Sequence, residues 1–146
     1  RASYIIDKDD SLSRILFKQI RHGAITIPGS GEYRLQPIFI GDVAKIILQS
    51  ITQQKFSNKI LDLVGPKIVT FNDYVRDFIK GKKIPIKNID LEEAYSRALH
   101  NPKADFGIDD LNILVGDYIG NHKKLKSMSG IEFKTHKAVL EASRLS

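Results

Sequence analysis

The chain contains no cysteine. That absence excludes disulfides, cysteine-bearing zinc sites and a cysteine nucleophile together. No apolar run approaches the roughly 20 residues that cross a bilayer, and no secretory signal pattern opens the chain. The expected location is the cytoplasm. The four histidines, His22, His100, His122 and His136, show no paired ligand spacing for zinc. Asp7-x-Asp9-Asp10 is not a calcium loop, because Leu12 stands where glycine is needed and Lys18 where glutamate is needed. There is no P-loop and no nucleophile elbow. Methionine is scarce as well. The only one is Met128 and the first residue is Arg1, so the expectation is a fragment or a processed product.

What is present belongs to a folded chain. At 146 residues it fits one domain and can bury a core. Hydrophobic residues at 42% and charged residues at 27% exclude a disordered composition. Lysine and arginine outnumber the acids 23 to 17, a net charge of +6. Such a surface attracts nucleic acid, anionic lipid or a phosphorylated ligand. The lysines are scattered, apart from His122-Lys123-Lys124-Leu125-Lys126 and Lys82-Lys83. No nucleic-acid module accompanies them, so a solvated basic face is the reading and nucleic-acid binding is not expected.

The organising stretch is Gly29 to Ile47, GSGEYRLQPIFIGDVAKII. A glycine turn leads through Arg34-Leu35-Gln36-Pro37 into a strand at Ile38-Phe39-Ile40, which Gly41 breaks. Asp42 is the predicted N-cap of a helix whose apolar face is Val43, Ile46, Ile47 and Ile51. Upstream, residues 1–6 read as a buried strand, and Ser11 to His22 as a helix stopped by Gly23. Downstream, Lys59 to Val64 reads as a second buried strand, closed by Gly65-Pro66. Thr70 opens a helix carrying Tyr74, Val75, Phe78 and Ile79 and stopping at Gly81. Lys83 to Ile86 is a short extended piece, and Asp90 caps a helix through about Leu99 that Asn101-Pro102 breaks. Asp109 or Asp110 starts another, with Leu111, Leu114, Val115 and Tyr118, ended by Gly120-Asn121. A last helix buries Val139, Leu140 and Leu145.

QPIFIGDVAKII resembles a segment of the extended short-chain dehydrogenase/reductase proteins, the family of NAD-dependent sugar-nucleotide epimerases and dehydratases. That segment reads about "q-P-v-h-V-x-D-V-A-x-a-I". The opening is similar too: Arg1, Ser3, Ile5 and Asp10 fit a family pattern in which Asp7 and Lys8 replace a Gly-Pro. Strand, Gly65-Pro66 and capped helix also follow the family, as does the tail from Gly130, except that Lys134 or Thr135 stands where proline is usual. The resemblance implies an α/β chain. It would be the C-terminal remnant of a Rossmann-like fold with a few strands (residues 1–81), followed by a small, mostly helical substrate-side lobe (82–146). It further implies that an N-terminal half is missing and that the intact protein uses NAD or NADP on a nucleotide-linked small molecule. This chain alone would bind neither cofactor and hold no catalytic residue.

The candidate substrate-binding residues under the resemblance are Ser3, Tyr4, Arg34 and Gln36, with Asp42 as a structural cap. Arg34 has the chemistry to fork onto phosphate oxygens, although the family's arginine sits seven positions before the helix-starting Asp, which is Leu35 here. Gln36 before Pro37 matches the atypical branch, which includes proteins like the nucleotide-binding accessory subunit of respiratory complex I. That branch supplies the alternative, a non-catalytic module holding a dinucleotide or a partner. Gly29-x-Gly31-x-x-Arg34 lacks the third glycine and the following helix of a dinucleotide fingerprint. Tyr4-x-x-x-Lys8 has the spacing of the family's catalytic pair, but on an apparent strand end rather than a helix. Strands left unpaired in such a piece favour self-association.

Overall fold

The computed structural model describes residues 1–145, with side-chain surroundings through Ser143. In chain order the elements are β1 (Ile5–Ile6), α1 (Ser11–Arg21), β2 (Ile25–Pro28), β3 (Arg34–Leu35), β4 (Ile38–Phe39) and α2 (Ile40–Thr52). A 3-10 turn (Gln54–Phe56), β5 (Val69–Thr70), α3 (Phe71–Ile79), β6 (Ile86–Ile89), α4 (Leu91–His100), α5 (Ile108–Leu114), α6 (His122–Ser129) and α7 (His136–Leu145) follow. The chain is α/β. Its two compact units interleave rather than meeting at residue 81. One is built from Arg1–Lys8, Leu35–Val69 and Tyr118–Ser146, the other from Asp9–Arg34 and Thr70–Asp117. Parallel strands explain the interleaving, because each parallel pair needs a long crossover to bring the chain back in the same direction.

In the first unit β1 and β4 run parallel, Ile5 opposite Ile38 and Ile6 opposite Phe39. Ser3 N–H donates to the Leu63 carbonyl at 2.9 Å, and Leu63 N–H to that of Arg1 at 2.7 Å. Ile38, Val43, Ile46 and Leu125 form the core, with Leu61, Leu63, Ile131 and Phe133 packed against it. Gly65 is required by backbone proximity: a Cβ there would lie 1.7 Å from the Pro37 carbonyl oxygen. In α7, Val139 and Leu140 are buried, while the side chain of Leu145 lies outside the described residues.

Several expectations for this unit change. Helix α2 begins at Ile40, with Phe39 as its N-cap, so Gly41 does not break the strand and Asp42 is not the cap. The glycine instead makes room for the Phe39 ring, from which a Cβ would be 2.4 Å away. Of the four apolar residues expected to be buried on α2, Val43 and Ile46 are, and Ile47 and Ile51 are exposed. The stretch 59–64 is not a continuous buried strand: it pairs at Leu63, and Ile60 is exposed. In the second unit, helix α5 stops at Leu114, short of Tyr118. The basic run at 122–126 opens α6, whose N-cap Asn121 accepts the Lys124 N–H at 2.9 Å.

The second unit carries the longer parallel pair, β2 with β6, in register from Ile25–Ile86 to Pro28–Ile89. Its helices are closed by their own side chains. Asp10 accepts Ser13 N–H at 3.0 Å for α1, Thr70 accepts Asp73 N–H at 3.1 Å for α3, and Asp90 accepts Glu92 N–H at 2.8 Å for α4. Leu12, Leu16, Ile25, Ile27, Phe71, Tyr74, Val75, Phe106 and Leu111 are among its buried residues. The Phe17 and Phe78 rings meet edge to face at 4.9 Å. Gln19, buried in α1, accepts Thr26 N–H at 3.1 Å and donates to Asp105 at 3.2 Å, fixing α1 to β2 and to the loop after α4.

Candidate functional site

Asp42 is fully buried. At the third position of α2 its carboxylate still faces the positive end of the helix dipole. One oxygen accepts the backbone N–H of Lys134 at 2.8 Å, and the other is 3.4 Å from Lys45 Nζ. A side chain held this way fastens the segment after α6 to the start of α2.

Gln36 is 3% exposed. Its Nε2 donates to the Gly65 carbonyl at 2.9 Å, and its Oε1 accepts Gly120 N–H at 2.8 Å. Ser3 reaches the same segment, donating its hydroxyl to the Tyr118 carbonyl at 2.7 Å. Asp62 takes Asn121 N–H at 3.1 Å and the Arg1 guanidinium at 2.9 Å. These bonds, led by the Asn121 N–H, hold the Asp62 carboxyl below its ordinary value. Gly120 must be glycine here, since a Cβ would come within 2.6 Å of the Asp62 side chain. Ser3 and Gln36 are thus brought together, but on backbone: they pin residues 118–121 rather than lining an opening. Tyr4 is half-buried beside them in sequence, and its carbonyl accepts Ile38 N–H at 2.9 Å.

Arg34 ends the second unit's 9–34 segment. Its guanidinium donates twice to Asp117 Oδ2, from Nε at 2.9 Å and Nη2 at 2.7 Å. Its backbone N–H donates to Oδ1 of the same carboxylate at 2.8 Å. The guanidinium bonds first, and then the backbone bond, hold the Asp117 carboxyl below the usual carboxylate range. The guanidinium expected to take phosphate is here paired with a carboxylate of its own unit. Asp117 lies 83 positions away, and no local pattern in the sequence announces it.

The Gly29–Gly31 turn is locked from within its unit. Gly29 and Gly31 both have positive φ, 61° and 72°. The Tyr33 hydroxyl packs over Gly29, and the Asn72 side chain packs over Gly31. Burial raises the Tyr33 phenol above its ordinary value, against a lowering by the Ser30 backbone, so it stays protonated at neutral pH. The turn leads into extended β3, not into a helix whose N-terminus could take a pyrophosphate. Tyr4 and Lys8 lie on no helix. Neither feature fits a nicotinamide dinucleotide. Among the described residues no cluster of His, Asp and Glu could hold a metal ion, and no helix is long and apolar enough to cross a membrane.

Among the described residues, two cavities each lie within one unit. One of about 120 Å³ lies between Gln19, Thr26, Ala94, Arg97, Asp105 and Phe106. Asp105 in its wall is engaged by Gln19 and by Lys18 from outside the wall, and Arg97 by Glu93, also outside it. The other, about 160 Å³, is lined by Asp7, Lys8, Phe39, Lys134 and the inner side of α7, with Lys134 Nζ 4.7 Å from the Phe39 ring centre. Neither is lined by Ser3, Tyr4, Arg34 or Gln36.

No protein-family model and no curated protein matches the chain. Solved structures do. A human epimerase-family protein, solved with NADPH, is 19% identical with a TM-score of 0.70, over 97% of this chain and 46% of its own. The NADPH-dependent quinone oxidoreductase of Escherichia coli, solved with NADPH, is 16% identical with a TM-score of 0.70, over 97% and 51%. The UDP-glucuronic acid 4-epimerase of Bacillus cereus, solved with UDP-glucuronic acid and NAD, is 11% identical with a TM-score of 0.66, over 98% and 42%. The chain therefore has part of the Rossmann-like fold of the epimerase/dehydratase and short-chain dehydrogenase/reductase proteins, and the resemblance read from its sequence holds at the level of the fold. It spans about half the length of the solved chains it matches.

Proposed function

We propose that the chain is the substrate-side portion of an NAD(P)-dependent nucleotide-sugar epimerase, dehydratase or reductase-like protein, the cofactor turn and the Tyr/Lys pair lying in another half. The observation that carries this is the pairing of coverages. Nearly the whole chain superposes on less than half of a UDP-glucuronic acid epimerase holding both NAD and sugar nucleotide. Arg34 is the residue equipped for the substrate's diphosphate. The two guanidinium N–H groups that converge on Asp117 Oδ2 could instead take phosphate oxygens, so binding would exchange one anion for the other. Ser3, Tyr4 and Gln36 would act within their own unit, setting the backbone of 118–121 and of β4. The same reading puts the intact protein in the cytoplasm and has the isolated chain self-associate through its unpaired strands.

The test is calorimetric titration of the chain with NADH, NADPH and UDP-glucuronic acid, and of the polypeptide from the complete reading frame with the same three. The chain alone should bind neither cofactor, whereas the longer polypeptide should bind one cofactor and the sugar nucleotide. Arg34→Ala should weaken the sugar nucleotide at least tenfold without changing cofactor affinity. A micromolar dissociation constant for NADH or NADPH on the chain alone would overturn the proposal. A second reading, a non-catalytic dinucleotide- or partner-binding module, is favoured by the filled fork itself, since an arginine already satisfied by Asp117 serves architecture without any ligand. Cofactor binding by the longer polypeptide, with no response to UDP-glucuronic acid, would select it.

A further inference from the structure

Helix α2 is apolar on two sides. Val43 and Ile46 enter the first unit's core. On another face Ile40, Ile47, Leu48 and Ile51 are 47%, 50%, 63% and 77% exposed. At about 100° per residue these four and Ala44 fall within an arc of about 100°, the width of a stripe that faces a protein core. The stripe adjoins the core face of Val43 and Ile46, so the apolar arc widens to about 200°, wider than a surface helix uses and fitting either a membrane span or an element buried inside a larger body. With 13 residues, α2 is too short for the first, which needs roughly 20. The pairing beside it is also incomplete. Strands β1 and β4 are two residues each, and parallel pairs occur almost only inside sheets covered on both faces.

Charge then distinguishes the candidate occupants. The unit holding α2 has 12 lysines and arginines against 5 acids, net +7, and the other unit has 11 against 12, net −1. Lys45, Lys55 and Lys59 are exposed on α2 and just beyond it. A second copy would bring like charges together around the stripe, whereas a body with an acidic rim would neutralise them. We infer that the outer face of α2, centred on Ile47, Leu48 and Ile51, is the seat of the half of the fold that the solved relatives have and this chain does not, and that this half meets it with an apolar patch rimmed by carboxylates. The inference rests on the proposed function only for the existence of that half. The stripe and the charge stand on their own.

Because the chain has no cysteine, a single one reports cleanly. Leu48→Cys and, as an exposed control, Lys82→Cys would be made in the chain and in the polypeptide from the complete reading frame. Maleimide labelling would be followed by mass spectrometry on the Ile46–Lys55 and control peptides. Position 48 should label as fast as position 82 in the chain, and at least tenfold more slowly in the longer polypeptide. Equal rates in both would overturn the inference, and if that polypeptide still bound NADH or NADPH, the proposed function would survive. Protection without binding of either cofactor would do the reverse. Protection in the isolated chain that vanishes on dilution would assign the face to a second copy. Protection appearing only with phosphatidylserine vesicles would assign it to a membrane. Either result would overturn the inference.

Discussion

The two units solve the problem of closure differently. The one made of residues 9–34 and 70–117 finishes its own surfaces: three helices carry side-chain caps, four consecutive strand residues pair, and its charges nearly cancel. The other leaves nine of the thirteen large apolar side chains that are exposed among the described residues, and carries the whole excess of positive charge. The lesson is that polar bonds and apolar burial need not be complete in the same place. The basic unit is well bonded around residues 118–121, where Ser3, Gln36 and Asp62 converge, yet it is uncovered along α2.

The largest effect should separate the closed core from the open face. Phe71→Ala removes a fully buried ring and should cost about 3–5 kcal/mol. Ile51→Ala in the chain alone should stay within about 0.5 kcal/mol, as an exposed substitution does. Urea midpoints for the pair give the contrast, and equal shifts would erase it.

Next comes the bonded core of the open unit. Gln36→Ala leaves the Gly65 carbonyl and the Gly120 N–H without their partner, at about 1–3 kcal/mol for each buried group. Amide exchange at Gly120 should accelerate with it. A silent variant would mean that water replaces the side chain.

The caps of the closed unit should matter less. Asp10→Ala should cost about 0.5–2 kcal/mol and Asp10→Asn close to nothing, because asparagine caps as well as aspartate. Thermal melts of both variants decide it.

The smallest effect is acidic. Asp117 and Asp62 have folded values lowered from about 3.8. Their contribution is therefore complete above the unfolded value and lost as pH falls through the folded one. Asp117→Asn and Asp62→Asn should each flatten the decline in melting temperature below about pH 4, one in each unit. A decline unchanged in both would place the acid sensitivity elsewhere.

Much of this architecture was legible in the residues. Gly23 stops α1, Thr70 opens α3 and Asp90 opens α4, because caps act over three or four positions; the Asp10 cap of α1 is seen only in the structure. The long-range features were not. Gln36 was read as a ligand contact, yet its partners are 29 and 84 positions away. Asp42 was read as a cap, yet its partner is Lys134. Helix α6 escaped because its first turns are mostly lysine, with Leu125 the only large apolar side chain it buries. Arg34 is singled out by its chemistry for phosphate, and the structure sets it against Asp117, 83 positions away.

The interleaving of the units sets an order of assembly on the ribosome. The unit built from residues 9–34 and 70–117 has all its material once residue 117 has emerged, and only a loop of some 35 residues must be closed to join its pieces. Its neighbour in sequence must wait for Leu125, Ile131 and Phe133, which complete its core. During synthesis residues 9–34 and 70–117 can therefore fold before residues 125–133 are made, and Ile38, Val43 and Ile46 stay open to chaperones until those residues arrive. Chains stalled on a linker long enough to put residue 120 outside the ribosome should already protect Phe71 and Tyr74 amides from exchange, and leave those of Val43 and Ile46 unprotected.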